Sequence, residues 1–312
     1  MGVLKGTLSF FFLFFYSCSS TASFFKKQEM DKNEIQLEIL SDKEQALVEV
    51  EVETAEKKKN RLRLILDTGS NVTILNQHKF LDAKTIPFQL KVKTFTKESE
   101  GTYEKIFINL RTPENESIYS GYAFLTKLPE TSLFDGVIGN DVLSAFQLVL
   151  DFPDRVYLRK KKKLISNEYK VFSYREVENH ILLDCFWKEK EEKKLRLIFD
   201  TGAGLTYIHK KFLNGEKREV LNRHKYFDLS GEIKETESYL IRNFCLGGRT
   251  YCDSHLEVLS GSNELLKNFF EGQEADGIIG YNYIRKHRIV IDYGERKIYL
   301  KRKNKAFMFL FD

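Results

Sequence analysis

Apolar and polar positions alternate with a period of two along much of this chain. Ile35, Leu37 and Ile39 share one face while Gln36 and Glu38 take the other, and Val48, Val50 and Val52 alternate with Glu49 and Glu51. That period predicts half-buried β-strands. Charged residues 56–61 then make a turn into an apolar strand over residues 62–66. A strand over residues 181–187, a charged hairpin tip over 188–194 and an apolar strand over 195–199 repeat the plan later. Two further hairpins with polar, glycine-containing tips are expected, over residues 95–106 around Gly101 and over residues 227–240 around Gly231. Short helices are expected over 141–146 and 282–286, with Asp141 and Asn282 near their N-caps. The remaining signals are strands and turns, so the pattern predicts an all-β fold.

The pattern is also duplicated. Asp67-Thr68-Gly69-Ser70 follows Leu62-Arg63-Leu64-Ile65-Leu66, and Asp200-Thr201-Gly202-Ala203 follows Leu195-Arg196-Leu197-Ile198-Phe199, with Thr73 and Thr206 matching on the far side. Further on, Asp135-Gly136-Val137-Ile138-Gly139 pairs with Asp276-Gly277-Ile278-Ile279-Gly280. Each is followed by an apolar strand ending in Asp, at Asp151 and at Asp292. Order and spacing are kept, which marks an internal duplication.

Composition changes this picture little. A chain of 312 residues with 42% hydrophobic residues, 26 Phe and 15 Tyr can build two domains, each with its own core. The net charge of +5 is a small imbalance between 50 basic and 45 acidic residues. The basic runs at 57–59 and 160–163 lack interleaved aromatics and any zinc-finger or helix-turn-helix pattern, so they read as solvated loops and no nucleic-acid partner is expected. The six His show no metal-ligand spacing, and no metal or organic cofactor is expected.

The N-terminus carries Lys5, then an apolar stretch over residues 8–16, then Ser17-Cys18-Ser19-Ser20. The stretch is shorter than the roughly 20 residues that span a bilayer and reads as a secretory signal peptide. Ser17 before Cys18, followed by a polar tether, resembles a bacterial lipoprotein signal, with Phe15 standing where Leu is usual. The resemblance implies lipidation of Cys18, with ordinary cleavage near Ala22 as the alternative. The expected location is outside the cytoplasm, on a membrane facing the periplasm or the cell surface. Of the other cysteines, Cys185, Cys245 and Cys252, at least one is unpaired or pairs between chains. Cys245 and Cys252 flank Gly247-Gly248, a hairpin-turn signal, and are the candidate disulfide.

The chemistry follows from having two carboxylates on equivalent turns. Two carboxyls held a few Å apart cannot both ionise easily, so they share a proton. The ionised one can take a proton from a water between them while the protonated one donates to a substrate carbonyl oxygen. Gly69 and Gly202 allow tight turns that bring an amide to each carboxylate. Thr68 and Thr201 offer hydroxyls to lock the turns together, and Ser70 offers the carboxylates a hydroxyl that Ala203 lacks. Asp135, Asp276, Asp151 and Asp292 read as structural, because D-G turns and strand ends favour Asp for local hydrogen bonds.

These residues resemble the aspartic proteases, whose signature is a hydrophobic residue, Asp-Thr-Gly-Ser/Thr/Ala, and later two hydrophobic residues and Gly. Both parts occur twice here, over roughly residues 35–303. The interval from Asp67 to Asp200 is shorter than in pepsin-like enzymes and is similar to two retropepsin-like units fused in one chain. The resemblance implies a bilobal fold of two retropepsin-like β-barrel lobes, monomeric as a pseudo-dimer. It implies an endopeptidase acting on an extended peptide or protein substrate, and flaps in which Tyr103 stands where a pepsin-like flap carries its Tyr. The expected division is a signal peptide (1–17), a tether (18–34), an N-terminal lobe (35–158), a linker (159–169) and a C-terminal lobe (170–312). The competing expectation is a membrane-tethered peptide-binding or assembly module with an inactive cleft.

Overall fold

A computed structural model describes residues 33–303 apart from 42–44, 94–97, 129–131, 133, 154, 161, 164, 189–191, 214–219, 228–232, 248–250, 254 and 261–273. The signal segment, Cys18 and Gly231 therefore lie outside the described residues.

The first half of the chain forms β1 (Glu34–Leu37), β2 (Ile39–Ser41), β3 (Leu47–Thr54), β4 (Lys59–Leu66), β5 (Ile74–Asn76), β6 (Ile86–Lys93), β7 (Glu98–Arg111), β8 (Ser117–Thr126), β9 (Gly136–Ile138), β10 (Gln147–Asp151) and β11 (Arg155–Arg159). The second half forms β12 (Lys170–Ser173), β13 (Arg175–Val177), β14 (His180–Lys188), β15 (Glu192–Phe199), β16 (Thr206–Ile208), β17 (Val220–Phe227), β18 (Ile233–Ile241), β19 (Phe244–Leu246), β20 (Tyr251–Asp253), β21 (Leu256–Ser260), β22 (Gly277–Ile279), β23 (His287–Asp292) and β24 (Lys297–Arg302). Helix α1 (Asn140–Leu143) follows β9, and α2 (Tyr281–Ile284) follows β22. The described residues are all-β apart from such short helical turns.

Three sheets result. An eight-stranded sheet, β2-β3-β4-β9-β5-β8-β7-β6, comes from the first half, and a ten-stranded sheet from the second runs β17-β18-β21-β16-β22-β15-β14-β19-β20 with β13 on β14. The third sheet mixes the halves in the order β1-β11-β10-β23-β24-β12. Its centre is β10 against β23, where Leu148 faces Ile291 and Val149 faces Val290, all buried. The apolar core runs unbroken from Ile35 to Leu300.

Alternation explains most strands. In β3 every second residue is buried, and the Val48, Val50 and Val52 side chains are inaccessible to solvent. In place of one first strand there are two, because Glu38 breaks the run and sends β1 to β11 and β2 to β3. Strand β4 also reaches back into the charged segment, since Lys59 pairs with Glu53 and Arg61 with Glu51 across the ladder.

Other expectations need correction. The first hairpin does not turn at Gly101, which lies inside β7 opposite Leu90, with Tyr103 opposite Phe88. The register sets Lys93 opposite Glu98 and Lys91 opposite Glu100. Strands β17 and β18 do pair as a hairpin, with Phe227 opposite Ile233, and the connection holding Gly231 falls outside the described residues. The helices begin one residue early, at Asn140 and Tyr281, capped by the backbone of Gly139 and Gly280 without a side-chain bond. The expected caps, Asp141 and Asn282, serve neighbouring turns instead. Cys245 and Cys252 face each other across β19 and β20 and form a disulfide, while Cys185 is a buried thiol. In the basic run, Lys162 meets Asp292 at 3.1 Å and Lys163 meets Glu34 at 2.9 Å, so part of it is anchored to the mixed sheet.

Candidate active site

Each Asp-Thr-Gly turn leaves the end of a parallel strand pair. Strand β4 runs beside β9 with Leu66 opposite Ile138, and β15 runs beside β22 with Phe199 opposite Ile279. The Asp67 amide then donates to the Ile138 carbonyl at 3.0 Å, and the Asp200 amide to the Ile279 carbonyl at 3.1 Å. Both carboxylates thus emerge where a buried strand stops.

The following loop is tied down identically in both halves. The Thr73 amide and hydroxyl donate to the Asp141 carboxylate at 3.0 and 2.8 Å, and the Thr206 amide and hydroxyl both donate to Asn282 Oδ1 at 2.9 Å. Each Thr hydroxyl oxygen in turn accepts the amide of the last D-G-x-I-G glycine, Gly139 or Gly280. Those glycines lie so close to Val72 and Leu205 that an added Cβ would come within 2.5 and 2.3 Å of backbone carbons. Asp135 accepts the Arg63 amide and Asp276 the Arg196 amide, both at 2.9 Å, which assigns these acids to the framework.

The two turns meet across the chain's halves. The Thr68 amide donates to Thr201 Oγ1 at 3.0 Å and the Thr201 amide to Thr68 Oγ1 at 3.1 Å. The hydroxyls continue outward, Thr68 Oγ1 to the Phe199 carbonyl at 3.0 Å and Thr201 Oγ1 to the Leu66 carbonyl at 2.6 Å. Both threonines are fully buried, and every one of these polar groups is paired within the lattice they form. The Thr pair therefore locks the turns as its spacing predicts.

Gly69 and Gly202 donate to Asp67 and Asp200 of their own turns at 2.9 and 2.8 Å. They also do something sequence reasoning missed. A Cβ on Gly69 would lie 2.3 Å from the Asp200 carboxyl carbon, and one on Gly202 would lie 2.5 Å from that of Asp67. Each glycine makes room for the opposite carboxylate.

The carboxyls of Asp67 and Asp200 are hydrogen-bonded to one another. Burial pushes Asp67 well above the ordinary aspartate range, and the charge of Asp200 and the hydrogen bond to it push the same way, against the backbone amides of Gly69 and Ser70. Burial raises Asp200 as well. The Gly202 amide, the bond from Asp67, the Ala203 amide and the field of His180 hold its charged form against that. Both carboxyls are thus pushed toward their protonated forms.

Ser70 departs from expectation. Its hydroxyl donates to the Val72 carbonyl at 2.8 Å, closing a local turn, and its contribution to Asp67 comes through the backbone. Ala203 also reaches its Asp through the backbone, its amide donating to Asp200 at 3.1 Å. Tyr103 packs near Phe88, with ring centroids 6.5 Å apart.

Several contributors were not singled out in the sequence. Asn140 Nδ2 donates to the Thr68 carbonyl at 2.8 Å and to the Asn179 carbonyl at 3.2 Å, and Tyr293 donates to Asn140 Oδ1 at 3.0 Å. Gln45 Nε2 donates to the Gly202 carbonyl, and His180 Nε2 lies 3.0 Å from the Gly69 carbonyl. Their only sequence signal is position, next to a strand start or a D-G-x-I-G motif. Compared with known proteins, the chain matches no family model and no curated sequence.

Proposed function

We propose that this chain is an aspartic endopeptidase made of two retropepsin-like lobes, in which Asp67 and Asp200 activate a water for attack on a peptide bond. One observation carries the reading. Two carboxyls from duplicated turns, Asp200 buried and Asp67 half-buried, stand against each other across Gly69 and Gly202, and burial raises both. A fold gains nothing in stability from burying like charges against each other, so such a pair suits chemistry that needs an acid and a base side by side.

In this mechanism the ionised member of the Asp67–Asp200 pair takes a proton from the water while the protonated member donates its proton to the carbonyl oxygen of the scissile bond. A tetrahedral diol forms without a covalent enzyme intermediate. Its collapse, with a proton passed to the leaving amine, regenerates the shared-proton pair. The glycine amides orient the carboxylates, the threonine lattice fixes their separation, and the substrate is an extended peptide or protein segment bound by strand-like backbone hydrogen bonds. No metal or organic cofactor takes part.

The test is cleavage of a mixed peptide library by the full-length chain between acidic and neutral pH, compared with Asp67→Asn and Asp200→Asn. Each substitution is expected to lower turnover by at least about a thousandfold. Activity that survives either one rules out the shared-water mechanism, and a folded wild-type chain that cleaves nothing would favour a peptide-binding module instead.

The reading extends to location. The chain is exported and held at a membrane by lipid on Cys18, so Cys18→Ser should move it from the membrane to the soluble fraction. Unchanged partitioning would remove the anchor from the proposal.

A further inference from the structure

The two turns are steadied by different residues. Leu47 stands opposite Ile65 in the β3–β4 ladder, and Leu182 stands opposite Ile198 in the β14–β15 ladder. Ile65 and Ile198 each lie two residues before the turn's Asp, so Gln45 and His180, each two residues before its Leu, occupy equivalent places. Each crosses to the other half and bonds the carbonyl of the opposite glycine, Gln45 to Gly202 and His180 to Gly69. A carbonyl only accepts, so Nε2 of His180 carries a proton.

His180 is held there by a tight turn. Strands β13 and β14 are joined by Glu178 and Asn179, with φ of 48° and 66°. Two successive positive φ values make the two-residue hairpin turn that glycine and asparagine favour, and Glu178 adopts it at some cost in strain. The tip is fixed to the first half at three points. Asn71 Nδ2 donates to the Glu178 carbonyl at 2.8 Å, Asn140 Nδ2 donates to the Asn179 carbonyl, and His180 reaches Gly69. His180 itself is only 7% exposed.

An amide and an imidazole make the same bond here but differ in charge. Imidazole gains a proton within the range pH 5–8, and an amide does not. The elements packed around His180 carry Asp67 and Asp200 on the two turns, Asp141 of α1, Arg175 and Glu176 of β13, Glu178 of the turn, Asp184 of β14, and Lys194 and Arg196 of β15. Asp141 is engaged by Thr73, and Glu176 lies 3.5 Å from Arg296. Against the burial that raises Asp200, His180 adds the weakest of the influences that favour its charged form.

We propose that His180 is a positioning residue of the dyad: it steadies the Asp67 turn through the Gly69 carbonyl and sets an ionisable ring where Gln45 sets a neutral amide. Its catalytic consequence rests on the peptidase reading. Gln45 supplies the equivalent bond on the other side without a charge, so this pair breaks the equivalence of two nearly identical turns.

Carboxyl-carbon NMR titration of the full-length chain labelled at Asp tests this, comparing wild type with His180→Gln, which keeps an amide donor as at Gln45. The lower midpoint of the dyad should rise by about half a pH unit or more, and the acidic limb of kcat/KM should move up with it. An unmoved midpoint in the folded variant overturns the proposal. Should His180→Gln fail to fold, the wild-type chain is compared with Gln45→His, which sets a second ring at the equivalent place: the lower midpoint of the dyad should fall, and an unmoved midpoint overturns the proposal. Neither titration needs a substrate, so a chain that cleaves nothing sinks the peptidase reading while these outcomes still judge His180.

Discussion

Asp67 and Asp200 are the same side chain in nearly the same turn, yet different neighbours act on them. Both are raised by burial, so the folded state favours their neutral forms. For a group raised on folding, the stabilising contribution is complete below its unfolded value, about 3.9 for Asp, and disappears as pH rises through the folded value. Asp67→Asn removes one ionisable member of the pair and should stabilise the protein at pH 7, by about 1–3 kcal/mol in urea unfolding. The gain should shrink toward pH 4, and a gain equal at both pH values would show that ionisation is not its cause. At this scale the sequence made the dyad, the glycines and the threonine lock legible, because all lie in one repeated tetrapeptide. Gln45 and His180 were not legible, since each acts on a residue in the other half and belongs to no motif. The hydroxyl of Ser70 was misread for a related reason: the Val72 carbonyl two residues on is the nearer acceptor.

Strands and their ends decide where this chemistry can stand. The parallel pairs β4–β9 and β15–β22 are short, buried and continuous in apolar residues, and a carboxylate leaving such a pair is desolvated without leaving the backbone ladder. A second polar device sits in the hairpin sheet of the second half. Glu257 in β21 accepts from Ser238 at 2.6 Å and from Asn222 and His224 at 3.2 Å, and it is pushed down to about 2, with the His224 bond the largest cause. A depressed carboxylate stabilises above its unfolded value and loses that contribution as pH falls, here between about 4.5 and 2. Glu257→Ala leaves buried Ser238 and His224 without this acceptor and should cost about 2–4 kcal/mol at neutral pH by denaturant titration. The deficit should narrow in acid, and a loss below about 0.5 kcal/mol would mean that water replaces the carboxylate. Strand positions were legible from alternation and from the duplication. The first hairpin's register was not, because Gly101 mimics a turn signal while lying inside β7 opposite Leu90.

At the scale of the whole molecule, the mixed sheet joins what the duplication seems to separate. Strands β10 and β23 precede equivalent points in the two halves and pair with each other at the sheet's centre, flanked by β11 and β1 on one side and β24 and β12 on the other. The local pattern predicts each of these strands but is silent on partners, since pairing across so much sequence is set by global closure. The all-β character was therefore readable from alternation, whereas the shared sheet and the crossing of the two turns were not. The turns complete one another: each glycine leaves space for the other half's carboxylate, and each threonine caps the other half's strand end.

The Gln45 and His180 pair gives this junction a sense of direction. Two identical subunits related by a twofold axis must present the same residue at both places, so a bound peptide could run either way along their cleft at equal energy. A single chain is free of that constraint. With an amide on one side of the dyad and an imidazole on the other, the two orientations of an N-to-C directional ligand are no longer equivalent, so under the proposed peptidase function the site would read polarity as well as sequence.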